Sequence, residues 1–189
     1  MTIIELTSPA VEPLTLVEIR AHLRLDTEEE DALLAALAIV AREHLERETG
    51  LVLAARDFRL CLDDWPVDGI VTIPRAPVRA VSAVTVYDAD GEPQIVDLAG
   101  HLLDGEARPA RLWLRDVPEP GRAMNGIEVE FSAGFGESGA DVPETLKRAM
   151  LLNVAAMFAT RGVVAAEAQP AVVPPGYDRL IASFCRRGL

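Results

Sequence analysis

The sequence predicts an α+β fold: a small helical bundle core, an inserted antiparallel β subdomain and an extended C-terminal arm. Three observations predict it. Apolar residues recur at three- and four-residue spacing near both ends of the chain. Between them, over 51–135, the period drops to two. Beyond 162 come apolar residues and prolines with no period. A chain of 189 residues is long enough for one packed domain with an insertion. The expected division is 1–50 and 136–162 for the helical core, 51–135 for the β insertion and 163–189 for the arm.

Residues 1–13, with Pro9 and Pro13, read as an extended lead-in. Thr15 and Glu18 make a capping box, and Leu14 with Ile19 can form the hydrophobic staple over it. Thr27 and Glu30 repeat the box. The run Glu28–Asp31 would then fill the first turn of a second helix, where the dipole favours carboxylates. Leu33, Leu34, Leu37, Val40, Ala41 and Leu45 give that helix one broad apolar face, and Gly50 suits a left-handed cap.

After Gly50 the strands begin. Phe58, Leu60 and Leu62 alternate with Asp57, Arg59 and Cys61 in 56–63. Further strands are expected at 70–73, 80–87, 94–97, 101–104, 111–114 and 127–131. Asp88-Ala89-Asp90-Gly91 reads as a hairpin turn. Helical period resumes at Pro143, a residue suited to a first turn. Leu146, Met150, Val154, Met157 and Phe158 form a stripe expected to pack on the 28–49 helix, with a stop at Gly162. Tyr177–Arg187 reads as one short amphipathic helix, with Leu180, Ile181 and Phe184 on one side.

Composition narrows the function. The formal charge is −12, from 18 basic and 30 acidic residues. That argues against a DNA-gripping surface, which needs clustered Lys and Arg. The opening helices have a helix-turn-helix outline, but Glu28–Asp31 would sit where the major groove is read. No apolar run is long enough to cross a bilayer, and the N-terminus lacks signal-peptide character. A soluble protein made in the cytoplasm is expected, with Cys61 and Cys185 as reduced thiols.

Enzymatic motifs are poor. His22, His44 and His101 are isolated, with no metal-ligand spacing. Asp63-Asp64 suits a solvated turn. The 88–91 turn lacks the later ligands of a calcium loop. Gly134-Phe135-Gly136 lacks the lysine of a phosphate loop. Glu128 and Glu130 share a strand face and are expected to meet solvent. No cofactor and no enzymatic activity are expected. A small ligand pocket around Trp65, Tyr87 and Trp113 is the competing reading, against ordinary aromatic packing.

The order of motifs resembles the head–tail connector proteins of long-tailed phages, prophages and gene transfer agents. Leu14-Thr15-Leu16, Glu18 and Ala21-His22-Leu23-Arg24-Leu25-Asp26 resemble the family's opening. Asp31–Leu34, Ala41-Arg42, Leu45-Glu46 and Thr49-Gly50 continue it. So do Ile73–Val78 with Val81 and Val84, then Val129–Gly136, Val142-Pro143 and Leu146–Ala149. Val173-Pro174-Pro175-Gly176, Leu180-Ile181 and Arg186 are similar to its closing pattern.

The resemblance implies a structural portal adaptor without catalytic residues, at the head–tail junction of a virion or virion-like particle. It implies a ring, typically of twelve subunits, that extends the DNA channel. The implied partners are the portal protein, a stopper, neck or tail-terminator protein, further copies of the chain, and passing DNA held without sequence recognition. No membrane is involved. A stopper or tail-completion protein of the same neck is the alternative. The expected portal-binding arm residues are Val172, Val173, Leu180, Phe184, Arg186 and Arg187. The expected subunit interface lies on the second helix and its approach, at Glu29, Leu33, Arg42 and Glu46.

Overall fold

A computed structural model of the chain describes residues 1–160 and 174–185. The fold is α+β and divides into two units. A β unit contains Met1–Ala10 and Ala55–Gly134; a helical unit contains Val11–Ala54 and Phe135–Leu189.

The β unit holds two antiparallel sheets. The larger is built from β1 (Thr2–Glu5), β2 (Arg56–Leu62), β8 (Ile127–Ala133), β4 (Val78–Tyr87) and β5 (Pro93–Ile95), in that spatial order. The smaller runs β3 (Ile70–Ile73), β7 (Ala110–Trp113), β6 (Leu102–Asp104). Alternation on the central strands produces three cross-strand apolar rows. Phe131 lies between Phe58 and Val81, Val129 between Leu60 and Val84, and Ile127 between Leu62 and Val86. All nine side chains are buried, as residues on one face of a pleated sheet must be when that face is the core. The expected 94–97 strand is shorter, and it closes the hairpin on β4 through Thr85, Val86 and Tyr87.

The first ten residues differ from their expected place. Thr2–Glu5 is an edge strand on β2, running from Thr2 opposite Cys61 to Glu5 opposite Phe58. Thr7 Oγ1 also accepts from the Asp57 N–H (2.9 Å). These residues therefore complete the sheet of the β unit and are not a lead-in to the helices. Four residues without alternation carry no period-two signal of their own; β2 supplies the ladder that makes them a strand.

In the helical unit α1 spans Leu16–Leu23, α2 Asp31–Thr49, α3 Glu144–Thr160 and α4 Tyr177–Ile181. The Thr15–Glu18 capping box forms in full. Leu14 and Ile19 are both buried beside it. Gly50 caps α2 at φ 71°, its N–H donating to Glu46 O (2.9 Å); a Cβ would be strained in that left-handed geometry.

The second capping box does not form. Helix α2 starts at Asp31, with no side-chain cap from Glu30. Arg20 of α1 instead draws Glu28 (2.8 Å) and Asp31 (3.6 Å) into a bridge between the helices. Glu28–Glu30 thus form the turn that brings the chain round, and only Asp31 lies in the first helical turn.

Helix α2 packs on α3. Leu34, Leu37, Ala38, Ala41 and Leu45 are buried from α2, and Leu146, Ala149, Met150, Val154 and Met157 from α3. Phe135 N–H donates to Leu53 O (3.2 Å), joining the segment after α2 to the segment before α3. The expected stop at Gly162 lies outside the described residues.

Candidate interface surfaces

A connector site would be made of surfaces, so the question for each expected residue is whether it is available to a partner. Arg42 and Glu46 are not. Arg42 is 6% exposed and Glu46 9%. Arg42 Nε lies 2.9 Å from Glu12 Oε2, and its Nη1 3.2 Å from Glu46 Oε2. Glu46 Oε1 accepts from the Leu53 N–H (2.8 Å). The pair at i and i+4 therefore ties the approach to α1 and the exit from α2 onto the middle of α2. Both residues hold the subunit's own fold together. Glu29 is exposed and Leu33 half-buried, so these two keep their expected place at the surface.

The open face of α2 carries different residues. Ala32, Ala36, Ile39, Glu43 and Arg47 are all exposed and follow each other at three- and four-residue spacing, so they share one side of the helix. Nothing in the sequence singles them out, since Ala32, Ala36 and Ile39 are as compatible with a core as with a surface. Ile39 retains 39% exposure.

A second polar link joins α1 to α3. Lys147, 7% exposed, reaches Glu18 and lies 3.6 Å from Glu144. The hydrogen bond to Glu18 holds the Lys147 ammonium above its ordinary range. Burial pushes the Glu18 carboxyl up, but its bonds to Lys147 and Thr15 outweigh that and hold it low. Glu18 thus acts twice, as capping residue and as ion-pair partner. Beside it, Glu12, Ser138, Gly139 and Lys147 line an open cleft of about 530 Å³.

The C-terminal residues also depart from expectation. The short helix expected over 177–187 is present as α4, spanning Tyr177–Ile181, and it does not stand off as an arm. It packs on α3, with Tyr177 fully buried and Ile181 at 4% exposure. The Tyr177 ring lies 5.8 Å from the His44 imidazole. Burial, with Glu48 adding to it, pushes the Tyr177 phenol well above its ordinary value. Leu180 and Phe184 are half-buried at the rim of this seat. Val172, Val173, Arg186 and Arg187 lie outside the described residues.

Other candidates resolve into local roles. Asp88 Oδ1 accepts from the N–H groups of Asp90 (3.0 Å) and Glu92 (2.9 Å), which is turn chemistry. Asp63 Oδ1 accepts from Asn125 N–H and Asp64 Oδ1 from Trp65 N–H. Glu128 and Glu130 both pair with Arg59, at 3.4 and 2.6 Å. His22 Nδ1 sits 3.2 Å from Arg148 Nη1; arginine only donates, so the ring nitrogen accepts. Burial first and Arg148 second push this imidazole down. His101 Nδ1 lies 2.8 Å from Leu98 O. Among the described residues no three His, Cys, Asp or Glu side chains cluster as metal ligands. Cys61 and Cys185 are free thiols.

The three aromatics of the competing pocket reading each have their own partners. Trp65 Nε1 donates to Pro118 O (2.8 Å). Tyr87 carries Arg122 over its ring at 4.0 Å. Trp113 sits between Ile70 and Leu102 in one cross-strand row on the small sheet, lining a recess of about 220 Å³ with Leu103, Asp104 and Arg111. That row is a surface feature, since Leu102 is 65% exposed.

Comparison with known proteins supplies the context for these surfaces. The family model for phage gp6-like head-tail connector proteins matches residues 13–91. Solved structures match over the whole chain. A chain in the neck of an empty GTA particle, computed with C6 symmetry, is 31% identical with a TM-score of 0.84. One in the virion of a native gene transfer agent (GTA) particle is 32% identical at 0.81. One in the neck of a native GTA particle, computed with C12 symmetry, is 31% identical at 0.75. Each comparison covers 100% of this chain and 98% of the other. No curated protein matches the sequence.

Proposed function

The chain belongs to the phage gp6-like head-tail connector family, and from this premise we propose that it is a portal adaptor acting as a ring. As a head-tail connector it has a structural role at a particle neck. The finer reading is that copies form a ring on the portal vertex, extend the DNA channel and receive a stopper, neck or tail-terminator protein. The place of action is then the head–tail junction of a virion or virion-like particle.

The single observation that carries this reading is full-length likeness, at 31–32% identity, to chains of GTA particles, two of them in necks computed with C6 and C12 symmetry. A closed ring needs one face of each subunit to meet a different face of the next. The exposed side of α2, from Ala32 to Arg47 with Glu29 and Leu33 near its start, is a suitable half of such a contact. The small side chains at Ala32 and Ala36 let a neighbour approach closely. The net charge of −12 suits a passage through which DNA slides without adhering. The C-terminal segment carrying Val172, Val173, Leu180, Phe184, Arg186 and Arg187 is the proposed portal contact.

Native mass measurement with purified portal rings tests the reading. The expected result is a portal complex carrying a full ring of added subunits, weakened by the double change Arg186→Glu and Arg187→Glu. A mixture in which both species keep their separate masses overturns the portal assignment.

A further inference from the structure

We propose that α4 is a releasable latch, seated on its own subunit before assembly and withdrawn when the C-terminal segment engages the portal. The inference rests on the portal-docking reading above and adds the step that precedes docking.

The seat is narrow. Tyr177 and Ile181 are buried, whereas Asp178, Arg179, Ala182 and Ser183 are exposed. Two fully buried side chains anchor the element, with Leu180, Phe184 and Cys185 half-buried around them. A five-residue helix has too few internal bonds to persist alone, so α4 is helical only while a surface holds it.

The seat is also poorly matched in polarity. The Tyr177 hydroxyl and His44 Nε2 are buried without a hydrogen-bond partner among the described residues. The Glu48 carboxylate stands 3.5 Å from His44 Nε2 and is also the carboxylate acting on the Tyr177 hydroxyl, so the two buried groups share one partner and neither hydrogen bond reaches good geometry. A buried polar atom left in this state opposes the closed form, because water would satisfy it on opening. The apolar ring holds α4 down while its own hydroxyl works against the contact.

The side chains involved suit a second surface. Tyr177, Leu180, Ile181 and Phe184 fall at i, i+3, i+4 and i+7, the anchor pattern of a helix laid into a partner's groove. The stripe now facing the subunit is therefore the one a partner would take, and the two uses exclude each other.

Hydrogen exchange on the full chain without portal, read at single-amide resolution, tests the latch. The amides of Leu180, Phe184 and Cys185 should exchange at least tenfold faster than those of Ala149–Val154. Tyr177→Phe removes the mismatched hydroxyl and keeps the ring. It should slow exchange in α4 roughly tenfold and slow association with purified portal rings by a similar factor. Exchange in α4 as slow as in α3 overturns the latch. So does a Tyr177→Phe chain with a better-protected α4 that associates as fast as the parent. Failure of the parent chain to bind portal overturns the docking reading instead, a result the exchange measurement does not share.

Discussion

The two units differ in how many polar side chains they bury. In the helical unit Arg42, Glu46, Thr49, Lys147 and Asn153 are all buried; in the β unit, among the described residues, Arg56 is the one buried polar side chain. The difference follows from how each unit closes its backbone. Strands satisfy one another through the ladder, and pleating sends alternate side chains outward, so Arg59, Glu128 and Glu130 have an outer face to occupy. Helices satisfy only themselves. The segments entering α1 and leaving α2 need other partners, and buried side chains supply them: Glu46 takes the Leu53 N–H and Arg42 holds Glu12. A connector subunit built this way has a sheet held by apolar rows and a bundle held by specific polar links.

The largest effect that tests this contrast is on the sheet. Phe131 is 1% exposed, stacks on Phe58 at 5.6 Å and lies opposite both Phe58 and Val81. Phe131→Ala should cost about 4 kcal/mol in urea unfolding, as large core truncations do. A loss under about 1 kcal/mol would mean that the rows are not what holds the β unit.

Next in size is a matched pair. Glu46→Ala removes one carboxylate partner of the buried Arg42 and the acceptor of the buried Leu53 N–H, and should cost about 2–3 kcal/mol. Glu130→Ala removes an equivalent charge from the outer face of the sheet and should cost about 0.5 kcal/mol. Equal losses at the two positions would erase the contrast between the units.

The same contrast explains what was legible in the sequence. The sheet was legible because burial there follows period two: 56–63, 70–73 and 127–131 read directly as strands, and the observed ones differ only at their ends. The Thr15–Glu18 cap and the Gly50 stop were legible because their chemistry is local. The second capping box failed because the decisive partner, Arg20, comes from the preceding helix. Arg42 and Glu46 were expected at an interface because charged residues on a helix usually face water. Their inward role depends on Glu12 and Leu53, contacts no helical period encodes. Strand β1 needed β2 to exist, and the seat of α4 needed His44 and Glu48, more than 120 residues earlier in the chain. The open face of α2 had no signal of its own in the sequence, since alanine is compatible with either side of a helix.

The smallest predicted effect concerns pH, and it belongs to the helical unit. Glu18 is held below its ordinary carboxylate value in the fold. Its contribution is therefore complete above that ordinary value and is lost as pH falls through the lowered one. Lys147 is held above its ordinary value. Its contribution is complete below that value and is lost as pH rises through the raised one. His22 is pushed down, so the fold favours its neutral ring. Its contribution stands above the ordinary histidine value and fades as pH drops below it. Melting temperature should thus be level from about pH 7 to 9, begin to fall through the histidine range near pH 6, and fall further through the carboxylate range. Lys147→Met leaves Glu18 without its cation, so its folded value moves back toward the ordinary one and both the acid loss attributable to Glu18 and the alkaline loss should shrink. His22→Gln should remove the early fall and leave the later one. An acid limb unchanged by Lys147→Met would place its origin among the other carboxylates and reduce the α1–α3 link to a packing contact.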